Sequence, residues 1–273
     1  MVEQITRIGE RPHAPREVRG DVRVKVLPTA AVTEPSAEFT DTLVFKLPTI
    51  QLDPVTRERE RILPPGASGQ HGGAYKMLRT QVLKRLDQLG ANTIGVLSST
   101  SSEGKTLTAI NLAIAIAAGS MRTALLVDFD LRNPSIHRRF GHAPDVGVED
   151  CLLDRRSIHE AMVKVEGYDR LTIVPARGRV EQSSELLSSD RAAELANEIR
   201  TRYANRIVIF DLPPVLMADD ALAFTRHIQA GLLVIGEGKA RGADVLRTID
   251  LLRDLPIVGT VLNGTREAAE TYY

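Results

Sequence analysis

The run Thr93-Ile94-Gly95-Val96-Leu97, continued by Ser98-Ser99-Thr100-Ser101-Ser102-Glu103-Gly104-Lys105-Thr106 and an apolar, helix-like stretch over 107–118, decides the fold of this 273-residue chain. Gly-Lys-Thr between a strand and a helix is the core of a P-loop. Backbone N–H groups and a helix N-terminus cradle phosphates there while the lysine reaches over them. The segment Ser101-Ser102-Glu103-Gly104-Lys105-Thr106 is therefore the expected phosphate cradle, with the Thr106 hydroxyl on Mg²⁺. Two positions depart from the usual pattern: Ser99 stands at its first glycine, and Ser102 where a second glycine is common.

Outward from that loop, the chain alternates strand and helix signals. Thr123-Ala124-Leu125-Leu126-Val127-Asp128, Leu171-Thr172-Ile173-Val174, Arg206-Ile207-Val208-Ile209-Phe210-Asp211, Gly231-Leu232-Leu233-Val234-Ile235 and Ile257-Val258-Gly259-Thr260-Val261-Leu262 are short, almost unbroken apolar runs. Such runs mark parallel strands covered on both faces. Helical patterns lie between them, over 191–203 and 244–255, and one precedes the loop, where Tyr75, Leu78, Val82, Leu83 and Leu86 form a stripe that Gly90 would cap. The expectation is an α/β fold: a doubly wound, mostly parallel sheet with helices on both faces.

Residues 1–72 read differently. Eight prolines and the cluster Arg57-Glu58-Arg59-Glu60-Arg61 accompany two strand-like runs, Val22–Val26 and Leu43–Leu47, with little apolar material between. We expect a flexible N-terminal extension over 1–72, a P-loop domain over 73–265 and a short tail over 266–273 that ends in Thr271-Tyr272-Tyr273.

Composition narrows the function. Lys+Arg and Asp+Glu number 35 each, so no net field draws the chain to nucleic acid, and a DNA-partitioning ATPase is disfavoured. The lone Cys151 allows no internal disulfide and no cysteine-rich metal site, as expected in a reducing compartment. The longest apolar run, over 107–118, is too short to cross a bilayer. A cytoplasmic protein is expected, and if it works at a membrane a partner must hold it there.

In open parallel sheets ligands bind beyond the carboxyl ends of the strands. Two strands end there in aspartate: Asp128-Phe129-Asp130-Leu131-Arg132-Asn133-Pro134 and Asp211-Leu212-Pro213-Pro214. Carboxylates at these tips suit Mg²⁺ at a nucleotide, and so would Asp128, Asp130 and Asp211 acting only as caps for the helices that follow. Asn263, after the last strand, is either an adenine reader or the turn residue of Asn263-Gly264. Gly238-Lys239 lacks a following Ser/Thr and reads as a loop; Arg132, Arg138 and Arg139 read either as contacts to phosphate or a neighbouring subunit or, the commoner meaning of such charges, as a solvated helix face.

Taken together, Tyr75-Lys76-Met77-Leu78-Arg79-Thr80, Ser102–Thr106, Asp128–Pro134 and Asp211–Pro214 resemble, in order and spacing, the bacterial tyrosine kinases of capsule and exopolysaccharide export. The resemblance implies an ATP- and Mg²⁺-dependent autokinase that phosphorylates its own C-terminal tail. It also implies stimulation by the cytoplasmic segment of a membrane polysaccharide chain-length (co-polymerase) protein. Lys105 would hold the β/γ-phosphates and Thr106 the metal. Asp128 would serve the metal and orient or deprotonate the attacking phenol, with Asp130 nearby and Asp211 as the second metal carboxylate. Tyr272 and Tyr273 are the implied acceptors, in the site of another subunit of a homo-oligomer. Three departures accompany this. Thr100 replaces the lysine of the related partition ATPases, and Gly73 and Lys76 stand where the kinases carry Glu and Arg for ring assembly, leaving Arg79 of that triplet. The alternative is an ATP-binding regulatory subunit of the export machinery with little turnover.

Overall fold

The computed structural model describes residues 47–119, 121–202 and 205–265. Its strands are β1 (Thr49–Ile50), β2 (Thr93–Ser98), β3 (Thr123–Asp128), β4 (Val163–Val165), β5 (Leu171–Val174), β6 (Arg206–Asp211), β7 (Ala230–Gly236) and β8 (Ile257–Asn263). Its helices are α1 (Pro54–Arg59), α2 (Gly69–Leu89), α3 (Lys105–Gly119), α4 (Ile136–Arg139), α5 (Val148–Leu152), α6 (Ile158–Ala161), α7 (Ser183–Ser188), α8 (Asp190–Arg202), α9 (Asp220–Thr225) and α10 (Gly242–Leu251). They build one eight-stranded sheet in the order β1-β4-β5-β3-β6-β2-β7-β8. Every neighbouring pair is parallel except β4 with β5.

The apolar runs become strands because both faces of the sheet are covered. β2 is buried throughout, and β3 and β6 are buried at all but their first residue. Period-two alternation sorts their side chains. Leu125, Val127, Phe129, Val208 and Phe210 join one core layer, and Ile94, Val96, Leu126, Ile207 and Ile209 join the other with α2 and α3. α3 lies between the sheet and α2 and is buried almost all round, as its apolar composition requires. α2 ends where Gly90 takes a left-handed conformation, φ 61°.

The structure corrects the expected domain boundary. Residues 47–72 are packed on the domain rather than forming part of a flexible extension: β1 pairs in parallel with β4, and Ile62 is 3% exposed. Burial of that side chain contributes about 2 kcal/mol. Asp53 accepts the backbone N–H of Thr56 and Pro54 opens α1. Asn111, a polar break in the α3 run, secures the segment by accepting Leu63 N–H at 2.9 Å and donating to the Arg61 carbonyl at 3.0 Å. Tyr168 donates its hydroxyl to the Leu63 carbonyl. These contacts are long-range and leave no local periodicity. The strand-like runs within 22–26 and 43–46, with the rest of 1–46, lie outside the described residues.

Candidate functional site

Topology assembles the site. β6 lies between β3 and β2, so the tips of three neighbouring strands open on one rim, and Asp128 of β3 sits directly opposite Asp211 of β6 in register. Phe129 and Phe210 turn to the other core layer, where they stack at 5.2 Å and both meet Phe224 edge-on, at 4.6 and 5.1 Å. That aromatic trio anchors the strand ends, while alternation directs the aspartates to the α3 side.

From the adjacent tip of β2 the P-loop turns into α3. Two of its residues adopt positive φ, Ser102 at 63° and Gly104 at 94°. At Gly104 a Cβ would collide with the Asn263 amide, so glycine is required there. At Ser102 a left-handed serine is a strained choice. The Ser99 hydroxyl is buried without a hydrogen-bond partner.

Lys105, at the start of α3, is 6% exposed. Its Nζ lies 2.6 Å from Asp211 Oδ1, 3.3 Å from Asp130 Oδ2 and 3.4 Å from Thr106 Oγ1. Burial pushes the ammonium's pKa down, but Asp211, Asp130 and Asp128 outweigh it and the net shift is upward. One cation thus faces three carboxylates. Burial, and next the charge of Asp211, raise Asp128 to about 8. Asp130 is raised too, chiefly by burial, with Lys105 opposing.

Each carboxylate divides its oxygens. Asp128 Oδ2 accepts the N–H groups of Ser135 and Ile136 at the start of α4, which is the capping role open to it from sequence, while Oδ1 is buried without a partner. Asp130 Oδ1 accepts Asn133 N–H. Asp211 gives Oδ1 to Lys105 and leaves Oδ2 buried and unpartnered. Such orphaned oxygens are normally satisfied by a ligand, ion or water. Two free carboxylate oxygens near a threonine hydroxyl suit Mg²⁺, which takes one or two carboxylates and completes its shell with phosphate and water. Among the described residues no group of three His, Cys, Asp or Glu side chains forms a protein-only metal cage.

Asn263 donates its amide to the Glu103 carbonyl at 2.9 Å, so it braces the loop and is more than a turn residue. Sequence reading missed four features. Glu103 is 1% exposed and bonded within the fold, Lys239 donates to the Ser102 carbonyl at 2.7 Å, and Arg132 pairs through Nε with the fully buried Asp220 at 2.7 Å. Arg177 pairs with Glu149 and Asp150. Gly238-Lys239 and Asp219-Asp220 were the visible signals. Arg138 donates to Asn133 and Arg139 to Glu60. Arg79 donates to the Ala115 carbonyl near the end of α3. Ser101 is exposed on the loop, and Tyr272 and Tyr273 lie outside the described residues.

Comparison with known proteins agrees with this fold. "Tyrosine-protein kinase YwqD" of Bacillus subtilis is 29% identical over 201 residues, 73% of this chain and 83% of the relative. The kinase domain of the Escherichia coli tyrosine kinase ETK superposes with a TM-score of 0.66 at 27% identity, over 74% of this chain and 78% of that one.

The chain is similar in sequence and in fold to bacterial tyrosine kinases.

A further member of the same set of relatives, "Succinoglycan biosynthesis transport protein ExoP" of Rhizobium meliloti, is 32% identical over 183 residues, 64% of this chain. The chain spans 22% of that relative's length. No family model matches the chain. Among the described residues, no helix is long and apolar enough to cross a membrane.

Proposed function

We propose that this chain is an ATP-dependent protein-tyrosine autokinase that regulates exopolysaccharide or capsule polymerisation and export. The observation that carries the reading is the Lys105 ammonium at a helix N-terminus, 2.6 Å from Asp211 and 3.3 Å from Asp130, on the rim where β2, β3 and β6 end. The names of the similar proteins, two tyrosine kinases and a succinoglycan transport protein, support the activity and its setting.

In this account the loop over 101–106 cradles the phosphates of ATP, and Lys105 exchanges its carboxylate partners for the β/γ-phosphates. Thr106, Asp128 and Asp211 would hold Mg²⁺, which when bound neutralises phosphate charge. Asn263, whose amide is bonded to the Glu103 carbonyl, is assigned to the adenine. The phenolic oxygen of an acceptor tyrosine forms a bond to the γ-phosphorus as the bond to the β–γ bridging oxygen breaks, and ADP departs. The phenolic proton passes to a carboxylate, for which Asp128 is suited. In the metal-free site burial and the charge of Asp211 lift Asp128 to about 8; bound Mg²⁺ would draw it down again, leaving an ionised carboxylate to accept that proton. Asp130 helps orient the lysine. The acceptors are Tyr272 and Tyr273, reached between subunits of a homo-oligomer. The stimulating partner is the cytoplasmic segment of a membrane co-polymerase, which places the protein in the cytoplasm at the inner membrane.

The test is the intact mass of the purified chain incubated with Mg-ATP. The expected gain is one or more phosphates on the tail, with none for Lys105→Met. The second reading, an ATP-binding regulatory subunit with little turnover, draws on the strained Ser102. Absence of any gain even with the partner's cytoplasmic segment present selects it.

A further inference from the structure

A carboxylate is rarely buried unless its charge is met by donors or cations. Glu103, inside the phosphate loop, is 1% exposed, and its carboxylate is met by N–H and O–H donors. Oε1 accepts from the Thr100 backbone N–H at 2.6 Å and from the Thr100 hydroxyl at 2.8 Å. Oε2 accepts from the Gly236 N–H at 3.0 Å, at the carboxyl end of β7 and 133 residues away in sequence. The side chain is therefore engaged within the fold rather than presented to a ligand.

The receiving position is shaped for it. A Cβ at Gly236 would stand 3.1 Å from Glu103 Cα and 3.3 Å from its Cβ and Cγ, tighter than ordinary contact. Two further bonds close the same joint, from Lys239 Nζ to the Ser102 carbonyl at 2.7 Å and from Asn263 Nδ2 to the Glu103 carbonyl at 2.9 Å. Ser102, between these ties, is held at φ 63°, a conformation serine does not favour and that persists only where its surroundings over-determine it.

We propose that Glu103 is a positioning residue: its carboxylate locks the phosphate loop to the end of β7 and holds a loop poor in glycine in the shape that binds nucleotide. The lock substitutes fixed bonds to Thr100 and Gly236 for the backbone freedom that glycines at 99 and 102 would supply. This rests on the nucleotide-binding reading above, and the test separates the two.

Glu103→Ala and the isosteric Glu103→Gln are compared with the parent, as full chains, by amide hydrogen exchange without nucleotide and by titration with Mg-ADP. Whichever way the Gln amide turns, it accepts from only one of the two backbone N–H groups. Glu103→Ala is expected to speed exchange over 234–241 and 98–106 by about tenfold or more, the loss of hydrogen bonds to a charged group. Exchange in β3 stays unchanged, the Mg-ADP Kd rises by a similar factor, and Glu103→Gln falls between. Three results each overturn the proposal: unchanged exchange over 234–241, acceleration that extends equally to β3, or a loosened loop whose nucleotide affinity stays within about twofold of the parent. If the parent itself ignores Mg-ADP, the nucleotide reading fails and the account of how Glu103 serves it is overturned with it, while the exchange data alone still decide whether Glu103 ties the loop to β7.

Discussion

Removing Lys105 tests the electrostatics of the site in isolation from its chemistry. With an effective dielectric constant near 20, pairs at 2.6 and 3.3 Å attract by about 6 and about 5 kcal/mol. Desolvating four buried ionisable groups opposes this by several kcal/mol for each ion. The net worth of the cluster is thus small, but breaking it from one side is not. Lys105→Met leaves Asp211, fully buried, without its cation, and a lone buried charge of this kind costs about 3–5 kcal/mol. Asp211→Asn should cost less, about 2 kcal/mol: Lys105 keeps Asp130, and the repulsion that helps raise Asp128 is relieved. In the double variant the stranded charge is gone, so its cost should fall below the sum of the singles by about 2–3 kcal/mol. For a chain of this size that coupling corresponds to about 4–12 °C in Tm. Thermal and urea unfolding of the four proteins, at pH 7.5 in EDTA without nucleotide, measure it. Additivity within about 0.5 kcal/mol would refute the reasoning.

Other expectations concern single positions. Ser102→Gly should stabilise by about 0.5–1 kcal/mol, because relief of a left-handed serine outweighs the extra unfolded-state entropy of glycine; a lower Tm would contradict this. Asn111→Ala strands Leu63 N–H and the Arg61 carbonyl and should cost about 2–4 kcal/mol, with faster tryptic cleavage among Arg57, Arg59 and Arg61; unchanged cleavage would detach 47–72 from the domain. Asp128 carries a raised pKa, so the folded protein holds a proton that the unfolded chain has released, and its contribution to stability falls as pH rises from about 4 to about 8. In metal-free buffer the stability of Asp128→Asn relative to the parent should therefore grow by about 2 kcal/mol between pH 6 and 8, and a constant difference would argue against the shift.

The six strands read from the sequence were legible because each is an apolar run, a property of its own residues, and all but the edge strand β8 are covered on both faces. Two aspartates at strand ends and a Gly-Lys-Thr loop marked the rim for the same reason, since parallel topology fixes where strand tips open. β1 and β4, with two and three residues, carry no period of their own and exist through their partners. The segment over 47–72 was hidden likewise: its prolines suggested looseness, while Asn111 and Tyr168, far along the chain, hold it in place. Glu103 read as one more loop residue because Gly236, the partner that gives it a role, looks in sequence like the end of a strand.

In the proposed function Lys105, Thr106, Asp128 and Asp211 converge on a magnesium-bound nucleotide. A crystal structure of the chain with Mg²⁺ and a non-hydrolysable ATP analogue tests it most directly. The Lys105 ammonium is expected on the β/γ-phosphates, the metal on Thr106 Oγ1, and the unpartnered oxygens of Asp128 and Asp211 bound to it directly or through water. A nucleotide bound elsewhere, or bound here with Lys105 still paired to Asp211 and the metal distant from both aspartates, would contradict it.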